Sequence, residues 1–123
     1  ILNKVNLVNS VVNMQGQKVL DLTDKKGERI LSRNIAKRLS GFMSRCVQSG
    51  TGKLADPDGL LEAAGKTGTA GEKEGHNIVW FTGFFPSQNP KYTITVVLED
   101  AVSGSLDAAP VFNKIATEVM ELS

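Results

Sequence analysis

At 123 residues and a formal net charge of +1, the chain has the length of one domain and no electrostatic footprint for nucleic acid or an acidic partner. Apolar residues at 41% and charged residues at 22% exclude a disordered chain and describe an ordinary globular one. No apolar run approaches the length of a bilayer span, no signal peptide is visible, and the single cysteine, Cys46, excludes an internal disulfide and fits no metal pattern. The first residue is Ile1 rather than methionine, as in a piece excised from a longer chain or a processed one.

Residues 1–30 alternate only in places. Val5, Leu7, Val12 and Val19 stand among polar residues, and Gln15-Gly16-Gln17 can turn, which predicts a short irregular hairpin. "TDKKGE" then reads as a loop. From Ser32 to Gly50 the spacing of Ile35, Leu39, Phe42 and Cys46, reinforced by Ala36, Met43 and Val47, predicts a helix with one buried side. Ser32 is its expected N-cap, and Gly50 the left-handed residue that ends it. "TGKLADPDG" has the glycine, aspartate and proline of a loop, where Asp56 and Asp58 serve turn chemistry rather than acid–base work. "NIVWFTGFF" and "KYTITVVLE" are aromatic and β-branched runs joined by "PSQNP", the pattern of a hairpin; Trp80, Phe81, Phe84 and Phe85 read as core plus one exposed edge. "LDAAPVFNKIATEVMEL" predicts a closing helix with Asp107 as N-cap, Pro110 in the first turn, and an apolar stripe of Phe112, Ile115, Ala116, Val119 and Met120. The expected architecture is α+β: a three-stranded antiparallel sheet with an N-side helix and a C-terminal helix packed on it.

The chemistry concentrates in "AAGKTGTAG", residues 63–71. Gly65-Lys66-Thr67 invites a phosphate-loop reading, but that motif needs a glycine at position 60, which is Leu60, and a helix directly after it. "GTAGEKEG" carries too much glycine to start one. Read as a strand, the stretch makes physical sense. A strand glycine marks close approach by a ligand or another backbone. Lysine supplies a charge that can hold an anion, threonines supply hydroxyls, and an edge strand offers spare N–H groups for an oxyanion or an added peptide. Strict alternation puts Lys66 and Gly68 on one face and Thr67 and Thr69 on the other. They meet one ligand only if it lies along the strand's edge or the strand twists locally.

Lys66-Thr67-Gly68 on a strand, within "AGKTGTA", resembles the third signature of the penicillin-recognising acyl-serine enzymes. "VQSGTGK" before it, and "WFTGFFPSQNPKYTITVVLED" and "AAPVFNKIA" after it, are similar in order and spacing to the closing segments of the transpeptidase domain of class B penicillin-binding proteins. The likeness is good over residues 32–123 and loose over residues 1–31. It implies a single partial domain of β-lactamase-like fold over residues 1–123. It also implies roles: Lys66 polarises the serine network at the floor of the site, and the Thr67 and Thr69 hydroxyls bind the terminal carboxylate of a D-Ala-D-Ala stem peptide or of a β-lactam. The Thr69 N–H forms half of the oxyanion hole, and Gly68 leaves room for the acyl group.

The resemblance implies no metal and no cofactor, and a place on the extracytoplasmic face of the bacterial inner membrane, in cell-wall synthesis and division. The implied partners are peptidoglycan stem peptide, β-lactams and the N-terminal part of the domain, with no nucleic acid. The departure is in the other two signatures. No serine upstream of Lys66 has a lysine three places on, and the nearest S-x-N, Ser32-Arg33-Asn34, reads as a helix cap. The chain alone is therefore expected to hold one wall of the site without the acylating serine, and to dimerise through an exposed strand edge. Alternatives are a non-catalytic binding module with the same groove, or a piece of a β-lactamase or β-lactam sensor. His76 reads as a surface or strand-start residue, and Cys46 as a small core residue.

Overall fold

The structure, a computed structural model, describes residues 8–22, 27–71 and 77–122. The chain forms two compact units, residues 1–36 and 37–123. In the first, β1 (Ser10–Val12) and β2 (Lys18–Asp21) pair antiparallel with a bulge between Val11 and Val12. The turn is built on Asn13, whose Oδ1 accepts from Gln15 N at 3.0 Å and Gln17 N at 2.9 Å. Gly16 closes it at φ +77°, a conformation that favours glycine. The expected hairpin is present with its side chains exposed; Val5 and Leu7 lie outside the described residues, as does most of "TDKKGE".

Helix α1 (Arg33–Ser49) begins as its cap residue dictates, with Ser32 Oγ accepting from Ile35 N at 3.3 Å. Two expectations for it need correction. The stripe of Ile35, Leu39 and Phe42 is exposed, Phe42 by 64%, and of the helix only Val47 is buried. Gly50 is not left-handed: its N–H bonds Cys46 O at 3.0 Å, and a Cβ there would sit 2.9 Å from that oxygen, so close approach rather than backbone conformation requires glycine.

After a 3-10 turn (Lys53–Ala55), β3 (Ala64–Ala70), β4 (Asn77–Phe85) and β5 (Tyr92–Ala101) form an antiparallel sheet in the order β3-β4-β5. Gly65, Thr67 and Thr69 stand opposite Gly83, Phe81 and Val79 and share their face. Burial alternates strictly along β4: Val79, Phe81 and Phe85 are fully buried, while Ile78, Trp80 and Thr82 on the other face are exposed. Helix α2 (Ala109–Glu121) covers the buried face. Phe112 meets the Phe81 ring at 4.7 Å and the Phe85 ring edge-on at 6.0 Å, geometries that aromatic rings favour. Each such ring buried contributes roughly 1.5–3 kcal/mol, so this cluster is the main adhesive of the unit.

The closing helix also differs from its expected form. Residues Gly104–Ala108 wind as a π turn, Ser103 caps it by accepting from Leu106 N at 3.1 Å, and Asp107 Oδ2 instead reaches back to Val102 N and Ser103 N, both at 2.9 Å. Ala109, Phe112 and Ala116 are buried with Val119 partly so, whereas Ile115 and Met120 are exposed. The architecture is α+β as expected, a mixed helix and antiparallel-sheet partial domain. Among the described residues no helix is long and apolar enough to cross a membrane.

Candidate functional site

Strand β3 is brought to its place by the loop before it. Asp56, 9% exposed, accepts from Leu61 N through Oδ1 at 3.2 Å and from Ala63 N through Oδ2 at 3.0 Å, so one carboxylate fixes the turn that delivers Ala64 to the sheet. Asn113 Nδ2 donates to Ala55 O at 3.2 Å and ties the same loop to α2. Asp56 is thus the turn residue expected from the sequence, with the larger task of setting where β3 begins.

Residues 66–69 lie within β3, which pairs with β4 and, among the described residues, with no strand on its other side. The four residues therefore run extended along a sheet border. Lys66 Nζ donates to Thr67 O at 2.8 Å and to Thr67 Oγ1 at 3.2 Å, so the lysine, on the opposite face by alternation, wraps over the border to meet the threonine hydroxyl. A carbonyl so engaged points away from β4. Alternate residues of an antiparallel strand turn N–H and C=O to the same side, so the Thr69 N–H faces the open border as well. Ammonium, hydroxyl and amide converge on one edge.

The face assignments have a steric counterpart. A Cβ on Gly104 would lie 2.5 Å from Trp80 O and 2.7 Å from Gly68 O, so only glycine lets the π turn rest on the backbone joining β3 to β4. Gly104 N also donates to Thr69 Oγ1 at 3.4 Å, a long contact that leaves that hydroxyl's own proton free to donate elsewhere. Gly68 is different. A Cβ there would make only ordinary contact with Trp80, 3.4 Å at the closest, so the fold does not demand glycine at this position.

One participant had no signal in the sequence. Thr51 Oγ1 lies 2.8 Å from Thr67 Oγ1 and 3.6 Å from Cys46 Sγ, joining the end of α1 to the candidate site. Sixteen residues separate the two threonines, and no periodicity links a loop to a strand. Cys46 is half-buried beside this polar chain, not a core residue. His76 lies outside the described residues. Among the described residues no cluster of histidine, cysteine and carboxylates could hold a metal ion.

Comparison with known proteins gives the family of the chain. Residues 1–117 match the family model described as the penicillin binding protein transpeptidase domain. Among curated proteins, the peptidoglycan D,D-transpeptidase MrdA of Haemophilus influenzae is 39% identical over a stretch covering 54% of this chain and 13% of that protein. The probable peptidoglycan D,D-transpeptidase PenA of Neisseria flavescens is 28% identical over 73% of this chain and 25% of its own length. The chain thus spans a quarter or less of these relatives. Among solved structures, the transpeptidase domain of FtsI4 from Legionella pneumophila matches 76% of this chain and 38% of its own at 34% identity, with a TM-score of 0.70. The D,D-transpeptidase domain of a peptidoglycan glycosyltransferase from Eggerthella lenta matches 94% and 27% at 36% identity, with a TM-score of 0.72. With a family model spanning nearly its whole length and the fold agreeing, the chain belongs to the penicillin-binding protein transpeptidase domain family.

Proposed function

We propose that residues 66–69 are the carboxylate-binding wall of a peptidoglycan D,D-transpeptidase active site, and that this chain supplies that wall without the acylating serine. The observation that carries the reading is the Lys66 ammonium folded over the β3 border onto Thr67, 2.8 Å from its carbonyl and 3.2 Å from its hydroxyl. An ammonium, two hydroxyls and an outward amide along one edge suit a peptide that ends in a carboxylate and reacts at a carbonyl.

In the complete enzyme, a serine from the rest of the domain attacks the carbonyl of the penultimate D-alanine. The serine–acyl bond forms, the peptide bond to the terminal D-alanine breaks, and that residue leaves as the free amine with the transferred proton. An acceptor amine then attacks the ester, a new amide forms, and the serine oxygen regains a proton. Thr67 and Thr69 hydroxyls donate to the terminal carboxylate, Lys66 holds it by charge and polarises the serine network, and the Thr69 N–H stabilises the oxyanion. Gly68 keeps the adjacent face clear for the acyl group. A β-lactam, carrying its own carboxylate, occupies the same wall. The reaction belongs to the outer face of the inner membrane, in wall synthesis during growth or division. Leu39, Phe42, Ile78, Trp80 and Val97 are exposed here and take cover from the remainder of the domain or from a second copy.

Incubation with a fluorescent penicillin tests both parts. The 123-residue chain alone takes no covalent label, and the protein with its upstream sequence restored is labelled in a manner that depends on Lys66. Label on any serine of this chain refutes the missing nucleophile. Absence of S-x-x-K and S-x-N from the restored sequence favours a non-catalytic module instead.

A further inference from the structure

The polar chain Cys46–Thr51–Thr67–Lys66 has a direction that follows from its proton count, and it rests on reading residues 66–69 as a carboxylate-binding wall. An ammonium has no lone pair, so Thr67 Oγ1 is the acceptor in its 3.2 Å contact with Lys66 Nζ. A hydroxyl has one proton and two acceptor sites. In the 2.8 Å contact between Thr51 and Thr67, one of two arrangements holds. If Thr67 donates to Thr51, its proton is spent inside the protein and nothing is left for a guest. If Thr51 donates to Thr67, both lone pairs of Thr67 are filled and its proton must point outward. The Cys46 thiol, 3.6 Å from Thr51 Oγ1, then serves as a weak donor behind it.

We propose that Thr51 is the positioning residue that turns the Thr67 hydroxyl toward a carboxylate. An anionic guest selects the outward arrangement, because a hydrogen bond to a carboxylate is roughly twice as strong as one between hydroxyls. The donors then run in one sense, from Cys46 to Thr51 to Thr67 to the guest. Thr51 touches no guest itself; it sets the proton on the residue that does.

The test uses the full-length protein encoded by the source gene, acylated by a penicillin and, separately, by the methyl ester of the same penicillin. The ester cannot accept the charge-assisted bond, so the ratio of the two acylation rates reads carboxylate recognition apart from folding or serine chemistry. Thr51→Val lowers that acid-to-ester ratio about three- to tenfold, the worth of one ordinary hydrogen bond, and Thr51→Ser restores it. Thr51→Ala, which adds no volume beside Thr67, carries the measurement should the valine variant not fold. An unchanged ratio in Thr51→Val or Thr51→Ala overturns the proposal, as does a fall in which acid and ester slow equally. If the unsubstituted protein is not acylated at all, the reading of the wall itself fails and takes this inference with it, an outcome distinct from the other two.

Discussion

Replacing Asp56 by alanine separates a residue that merely decorates a turn from one that sets the position of β3. Its carboxylate accepts two N–H groups, from Leu61 at 3.2 Å and Ala63 at 3.0 Å. Both donors belong to residues only 4% exposed, so water does not readily replace the lost acceptor. A hydrogen bond to a charged acceptor contributes about 1.5–3 kcal/mol, but two bonds sharing one carboxylate are not independent. Removing a nearly buried charge also recovers part of its desolvation cost. The balance is a loss of about 2–3 kcal/mol for Asp56→Ala. Asp56→Asn keeps one acceptor but sets an NH2 against the second N–H, and loses about half as much. Guanidinium denaturation of the chain measures both, and amide hydrogen exchange at Leu61 and Ala63 reports the local event, with protection falling at these two sites ahead of Phe81 in β4. A change under about 0.5 kcal/mol in Asp56→Ala, with both amides as protected as before, refutes the reasoning.

Truncating Phe112 to alanine removes a fully buried ring from contact with Phe81 and Phe85, and thermal unfolding should show a loss of about 3–5 kcal/mol; a loss under about 1.5 argues that α2 is not what covers the sheet. Gly68→Ala should leave the stability of the chain within about 0.5 kcal/mol, or raise it, while slowing penicillin acylation of the longer protein. Gly65→Ala drives a Cβ into the Phe81 ring and should cost about 1–3 kcal/mol, so equal effects at the two glycines count against the division between structural and site-facing positions. Light scattering of the chain at high concentration should detect dimers or larger species formed through the unpaired β3 border or the exposed apolar faces; a strict monomer contradicts this.

What the sequence made legible was periodic or self-contained. The alternation in "NIVWFTGFF" marks β4 and its buried face without reference to anything distant, and Ser32 announces the start of α1 by bonding a residue three places on. That residues 66–69 run extended follows once their glycine content rules out a helix start, whereas their place at a sheet border is set by the strand order. What escaped depended on neighbours in space. The stripe on α1 has the spacing of a buried side, and nothing in helical periodicity says that Ile35, Leu39 and Phe42 stay exposed. Asp107 looks like a helix cap, but it lies inside the wider π turn of residues 104–108, so its carboxylate falls beside Val102 and Ser103. Thr51 belongs to the candidate site through one contact across sixteen positions, which no local rule could find.

Alternation poses a difficulty for any reading of Lys66, Thr67 and Thr69 as a single site, and the strand order resolves it. In the middle of a sheet, the Thr67 carbonyl and the Thr69 N–H would both be consumed by a second ladder. Lys66 would have to cross a neighbouring strand about 4.7–4.9 Å away to reach the far face. At the border of β3-β4-β5, among the described residues, no second ladder takes those backbone groups, and the lysine rounds the edge to the Thr67 carbonyl at 2.8 Å. The same openness is a hazard, since an unpaired edge recruits other strands as readily as it recruits a peptide substrate. On the proposed reading, binding capacity and tendency to associate have one physical origin. A proline placed at Thr69 removes the outward N–H and should diminish self-association and penicillin acylation together, the first read by light scattering and the second by fluorescent labelling of the longer protein. If either falls while the other stays at its unsubstituted level, the border does not serve both.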